Sequence, residues 1–94
     1  MSNFYVYMIL SKSIKKNVTY VGYTSNLKNR LLLHNSSKGA KFTRGRKWKL
    51  AYSKKYLSKS LAMKEEYKLK KNFKLRNKIK SKFYKNENFN ITSL

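Results

Sequence analysis

From Phe4 to Leu10 the chain reads FYVYMIL, an unbroken apolar and aromatic run of strand length. The polar, basic SKSIKKNV stretch that follows suits a hairpin connection, and Thr19–Tyr23 (TYVGY) supplies a second run of β-formers. Together they predict an antiparallel hairpin. Gly22, inside the second strand, marks a place where another group can approach the backbone closely. Thr24 or Ser25 can then cap a helix over about Asn26–Asn35, with Leu27, Leu31 and one or both of Leu32 and Leu33 as its apolar stripe.

SSKGAKFTRGRK, residues 36–47, has no apolar period and reads as a basic loop. Trp48–Leu57 (WKLAYSKKYL) alternates early on as a third strand does. Ser58 or Ser60 opens a second helix through about Lys71. A third, very basic helix is expected from Phe73 to Tyr84, resting on the sparse apolar positions Phe73, Leu75, Ile79 and Phe83. Residues 85–94 read as a frayed tail. The order β-β-α-β-α-α predicts one α+β domain over residues 1–84, with a three-stranded antiparallel sheet flanked by helices.

Charge changes this picture more than composition does. An apolar content of 40% and an aromatic content of 15% suffice for a core in a chain of 94 residues. Against 24 Lys and Arg stand only Glu65, Glu66 and Glu87, for a net charge of +21. A fold this small cannot pair those cations internally, so its surface carries a strong positive field and its natural partner is a polyanion, nucleic acid above all. A lysine-rich coding bias explains Lys over Arg, but not the scarcity of acids. Cys and Asp are absent and His occurs once. This removes disulfides, thiolate zinc sites, Ser-His-Asp triads and Asp clusters that hold two metals. The amino-terminal apolar run is too short to span a bilayer and lacks a basic start, so a cytoplasmic protein is expected.

Five side chains could carry chemistry. Tyr7 and Tyr20 fall on adjacent strands. A strand tyrosine usually packs half-buried, but nearby positive charge can lower its pKa enough for it to act as a base. Arg30 and His34, at i and i+4, share one helix face. There an Arg can clamp a phosphate while a His relays a proton, or the two can simply belong to a solvated basic face. Of Glu65 and Glu66, the second has a lysine at i+4 (Lys70) to pair with, and the first has Leu69. One of them could instead face inward to a divalent cation. The stripe of Leu61, Ala62, Leu69 and Phe73, with Met63 added, leans toward Glu66 without deciding the choice. Two phenols, an Arg, a His and a Glu suit phosphodiester hydrolysis.

These residues resemble the GIY-YIG nuclease superfamily, in its small stand-alone bacterial form and, more distantly, the amino-terminal nuclease domain of the excision-repair endonuclease. Tyr5-Val6-Tyr7 corresponds to the first signature and Tyr20-Val21-Gly22 to the second. The helix with Arg30 and His34, the segment Gly39–Arg46 and the segment Ser60–Lys71 follow in family order, over roughly Asn3 to Phe73. The resemblance implies a three-stranded antiparallel sheet flanked by helices. It also implies Tyr7 and Tyr20 as paired catalytic tyrosines, either able to serve as the base for the attacking water, Arg30 on the scissile phosphate, His34 supporting a tyrosine or relaying its proton, and Glu66 as the sole carboxylate on the metal. Tyr5 and Val6 replace the Gly and Ile of the first signature, and Lys47 stands where a proline is common. Larger members use an Asn after the metal Glu, for which Asn72 and Asn77 lie nearby.

The expected activity is Mg²⁺-dependent (or Mn²⁺-dependent) endonucleolytic hydrolysis of DNA, branched or damaged DNA included, as in DNA repair. Lys41, Arg44, Arg46 and Lys47 would hold phosphates, which positions a strand without reading its sequence. An RNA-directed nuclease and a non-catalytic nucleic-acid-binding protein that keeps the fold are the alternatives. With no long specificity domain, a protein partner would do the targeting.

Overall fold

The computed structural model describes residues 3–12 and 17–92. Strands β1 (Phe4–Ser11), β2 (Val18–Thr24) and β3 (Lys49–Tyr56) form one antiparallel sheet in the order β2-β1-β3. The most apolar strand therefore lies in the middle, as burial on both faces requires. Helices α1 (Leu27–Asn35), α2 (Lys59–Lys71) and α3 (Phe73–Thr92) complete the expected β-β-α-β-α-α order. Part of the expected hairpin connection, residues 13–16, lies outside the described residues.

Strand alternation divides the core in two. Val6, Met8 and Val21 face α2, where Ala62 and Leu69 are buried against them and Ile79 of α3 closes the layer. Tyr7 and Ile9 face the opposite way, toward Trp48 and the Leu27 and Leu31 of α1. On α1, Leu32 is 62% exposed, so it does not belong to the stripe, while Leu33 is half-buried. A register shift between Met8 and Ile9 inserts Ala51 as an extra residue in β3, next to the start of that strand.

Local details differ from the sequence expectation where a polar side chain had more than one use. Asn26, rather than Thr24 or Ser25, caps α1: its side chain accepts the Asn29 N–H at 3.0 Å. Thr24 accepts the Asn26 N–H at 3.1 Å and shapes the turn before the cap. Ser58, not Ser60, caps α2. Within the basic loop, Lys41–Thr43 form a single 3-10 turn. Asn72 ends α2, and its side chain accepts the Leu75 N–H at 3.0 Å, capping α3. Helix α3 then continues past Tyr84 to Thr92, through a stretch that holds neither Gly nor Pro to stop it. Among the described residues no helix is long and apolar enough to cross a membrane.

Candidate active site

The register of β1 and β2 sets Tyr7 directly opposite Gly22 and Ile9 opposite Tyr20. Tyr7 and Tyr20 are thus diagonal neighbours on one sheet face. A Cβ on residue 22 would stand 2.8 Å from the Tyr7 Cζ and closer still to its hydroxyl, so the phenol lies across bare glycine backbone. Here is the close approach that the glycine in the second strand predicted.

From the turn after β2, α1 carries Arg30 to the same place. Tyr7, Tyr20, Gly22 and Arg30 line a polar cleft of about 490 Å³ beside the edge strand, and Glu66 and Lys59 reach it from α2. Among the described residues Glu66 is the only carboxylate in the lining. Its position follows from helical spacing once burial is known. Ala62 and Leu69 are buried, and Glu66 lies on their face at i+4 and i−3. Leu61, Met63 and Phe73, 44%, 47% and 64% exposed, do not define the buried stripe, which is why periodicity alone wavered. Glu66 pairs with Lys70 at 3.4 Å, as the i+4 spacing allowed, and Glu65 pairs with Lys68 at 3.3 Å. Four of the five proposed catalytic side chains therefore converge on one cavity.

The fifth, His34, is fully buried behind it. Its Nε2 lies 2.8 Å from the Tyr7 hydroxyl and its Nδ1 2.8 Å from Thr43 Oγ1. The solvated-face reading fails for this residue. Thr43 assigns the tautomer. With the Thr43 hydroxyl assigned as donor to the Ala40 carbonyl at 2.9 Å, Nδ1 is assigned the ring proton and donates to Thr43. Nε2 is then a bare acceptor, and Tyr7 donates to it. Burial, helped by the nearby Arg30 charge, pushes the His34 pKa below its ordinary 6.5 and keeps the ring neutral. Burial also raises the Tyr7 pKa above 10.0, outweighing the hydrogen bond and charge of Arg30. The expected lowering of a tyrosine pKa by surrounding cations does not occur at Tyr7, because the ring is almost wholly desolvated.

Sequence reasoning missed the support for this arrangement. Gly39 passes so close to the imidazole that a Cβ there would overlap the His34 ring. Trp48 Nε1 donates to the Thr43 carbonyl at 2.9 Å, and the Asn35 Nδ2 donates to the Trp48 carbonyl at 3.1 Å, which ties the end of the loop to the end of α1. Phe42, 58% exposed, stacks on Tyr20 with ring centres 6.2 Å apart. The only signal for these contacts was the GAKFT segment itself. Of the expected phosphate-binding cations, Lys41, Arg44 and Lys47 are exposed and Arg46 is half-buried; none lines the cleft. Asn72 is occupied as a helix cap.

The family profile described as "GIY-YIG catalytic domain" matches residues 3–80. The UPF0213 protein of Clostridium perfringens (strain 13 / Type A) is 42% identical over 89 residues, covering 90% of this chain and 91% of the relative. That of Staphylococcus haemolyticus is 42% identical over 71 residues, covering 74% of this chain and 83% of the relative. The UPF0213 protein of Oceanobacillus iheyensis is 54% identical over 52 residues, a match spanning 54% of this chain and 60% of the relative. The solution NMR structure of the UPF0213 protein BH0048 from Bacillus halodurans shares 37% identity, covers 84% of this chain and 83% of its own, and superposes with a TM-score of 0.46. With the two tyrosines, Arg30 and Glu66 gathered at one cleft and the profile matched over residues 3–80, the chain belongs to the GIY-YIG family of nuclease domains.

Proposed function

We propose that this protein is a Mg²⁺-dependent (or Mn²⁺-dependent) endonuclease that hydrolyses DNA phosphodiester bonds with weak sequence preference. The observation that carries this reading is the convergence of Tyr7, Tyr20, Arg30 and Glu66 on one cleft, with Tyr7 hydrogen-bonded to a neutral His34. Among the described residues no three acidic or histidine side chains cluster as a metal cage. A single carboxylate nevertheless suits Mg²⁺, which keeps several waters and accepts substrate phosphates as ligands. Glu66 would hold the cation, and a cation there would supply charge for the phosphate oxygens and acidify the attacking water.

The chain's own groups do the rest. Arg30 binds the scissile phosphate and balances charge as it develops on the non-bridging oxygens. Tyr7 takes a proton from the incoming water as it hands its own to His34 Nε2. This two-proton shift suits a phenol whose pKa is raised, because the phenolate never has to exist alone in a buried site. Thr43 holds the imidazole in the accepting tautomer, and Gly39 leaves room for its ring. Tyr20 packs its ring against His34, with centres 5.1 Å apart, and lines the same cleft.

The test is cleavage of plasmid, branched DNA and RNA by wild type and Glu66→Ala, with Mg²⁺ or with chelator. The expected outcome is metal-dependent nicking that falls at least a hundredfold in the variant, on the order of one lost transition-state contact. Nicking unchanged in Glu66→Ala would place the chemistry elsewhere. No cleavage of any substrate by wild type would favour the binding-only alternative, and cleavage of RNA alone would make the enzyme RNA-directed.

A further inference from the structure

Among the described residues the most exposed aromatic rings are Phe42, Phe73 and Tyr67, each next to a cation. Phe42 stacks on Tyr20, which belongs to the cleft, and with Lys70 and Arg76 it lines a second groove of about 280 Å³. Arg76, arriving on α3, also holds its guanidinium 5.8 Å from the Phe73 ring, and its buried Nε has no hydrogen-bond partner among the described residues. Phe73 in turn borders a hollow with Tyr67, Lys68, Lys71 and Lys74, where Lys71 Nζ sits 4.6 Å above the Tyr67 ring. Phe42, Phe73 and Tyr67 are 58%, 64% and 57% exposed. None belongs to either core cluster. A track of rings and cations thus runs from Tyr20 across Phe42 and Arg76 to Phe73 and Tyr67.

We infer that this track binds an unpaired polynucleotide strand and leads it into the cleft. The inference rests on the nuclease reading for its direction and adds the substrate class to it. Three facts select the occupant. Exposed rings offer stacking faces, which unpaired bases fill and paired bases cannot. The flanking charges are positive, and the two carboxylates on α2 are already paired to Lys68 and Lys70, so the surface complements a polyanion rather than a mixed protein face. Phe42 is held flat by the ring beneath it, so a base can stack there at little entropic cost. On this reading Phe42 stacks the base next to the scissile phosphate, and Arg76 and Lys70 hold a neighbouring phosphate.

Binding is measured with chelator present, so that its outcome is independent of cleavage. Fluorescence anisotropy compares labelled single-stranded DNA, single-stranded RNA and duplex DNA of equal length on wild type, Phe42→Leu, Phe73→Leu and Phe73→Tyr. The expected result is that wild type prefers single strands, and each Leu variant loses about tenfold on them with little change on duplex, the size of one lost base stack. Phe73→Tyr, which keeps the ring, should retain the affinity. A 2-aminopurine placed in the strand should be quenched by wild type and Phe73→Tyr and less by Phe73→Leu. The DNA and RNA arms decide which sugar is preferred. Equal losses on duplex and single strand, or none on either, would overturn the track and leave the endonuclease reading standing. Single-strand preference without cleavage of any substrate would do the reverse.

Discussion

At His34 the two ring nitrogens have different duties: Nδ1 donates to Thr43, and Nε2 accepts from Tyr7. That division holds only while the ring is neutral, which ties the site to pH. Burial and the Arg30 charge lower the folded pKa below the ordinary 6.5. Between that lowered value and 6.5 the unfolded chain binds the proton more readily than the folded one. His34 therefore stabilises the fold in full above pH 6.5. The contribution declines as pH falls through the window, by at most about 1.4 kcal/mol per pH unit, and is gone below the folded value. Because this is the only histidine, its imidazole resonances are unambiguous in an NMR titration. The expected midpoint lies below 6.5, and the stability difference between wild type and His34→Gln should shrink on acidification over the same range. A midpoint at or above 6.5 would contradict the buried, Arg30-facing imidazole.

Among the elements, the loop between α1 and β3 does most to hold the site. Its 3-10 turn presents Thr43 to His34, Gly39 leaves room for the ring, and Trp48 and Asn35 fasten its end. Replacing Thr43 by Val keeps the volume but leaves the buried Nδ1–H without an acceptor, at a cost of about 1–3 kcal/mol. For a domain of this size that lowers Tm by roughly 4–8 °C per kcal/mol, readable by thermal unfolding. Activity should fall by more than the stability loss explains, because the freed imidazole can take the other tautomer, and Thr43→Ser should restore both. A Val variant with wild-type activity would remove Thr43 from the proton path. How far such features are legible in a sequence depends on whether they are local. The strands were legible because FYVYMIL and TYVGY carry their own β signal. Arg30 and His34 were legible as a pair because 3.6 residues per turn fixes their face. Choosing Glu66 over Glu65 needed to know that Ala62 is buried and Leu61 is not, which only the sheet decides. The roles of Thr43, Gly39 and Arg76 depend on partners 5 to 9 or more positions away or on another element, and nothing in their neighbours announces them.

For the whole molecule, charge sets the terms of any encounter with nucleic acid. The net charge of +21 cannot be neutralised within the fold, and the loop cations Lys41, Arg44 and Lys47 stand exposed, with Arg46 half-buried beside them. Such contacts release counterions from a bound strand whatever its bases, so affinity should be governed by salt more than by sequence. If these four cations, Arg30 and the Lys70–Arg76 pair each account for one phosphate, log K for a single strand falls with log[salt] at a slope near −4.2, roughly three-hundredfold between 50 and 200 mM. Substituting Lys41 and Arg44 together by Ala should lower the slope magnitude by about 1.4, whereas Phe73→Leu should shift the whole line and leave its slope unchanged. Titrations at several salt concentrations separate the two. Parallel lines for the loop variant would mean that its cations do not meet phosphate. A flat wild-type line would mean that the field of the molecule is not what recruits its substrate, and would count equally against a phosphate held by Lys70 and Arg76.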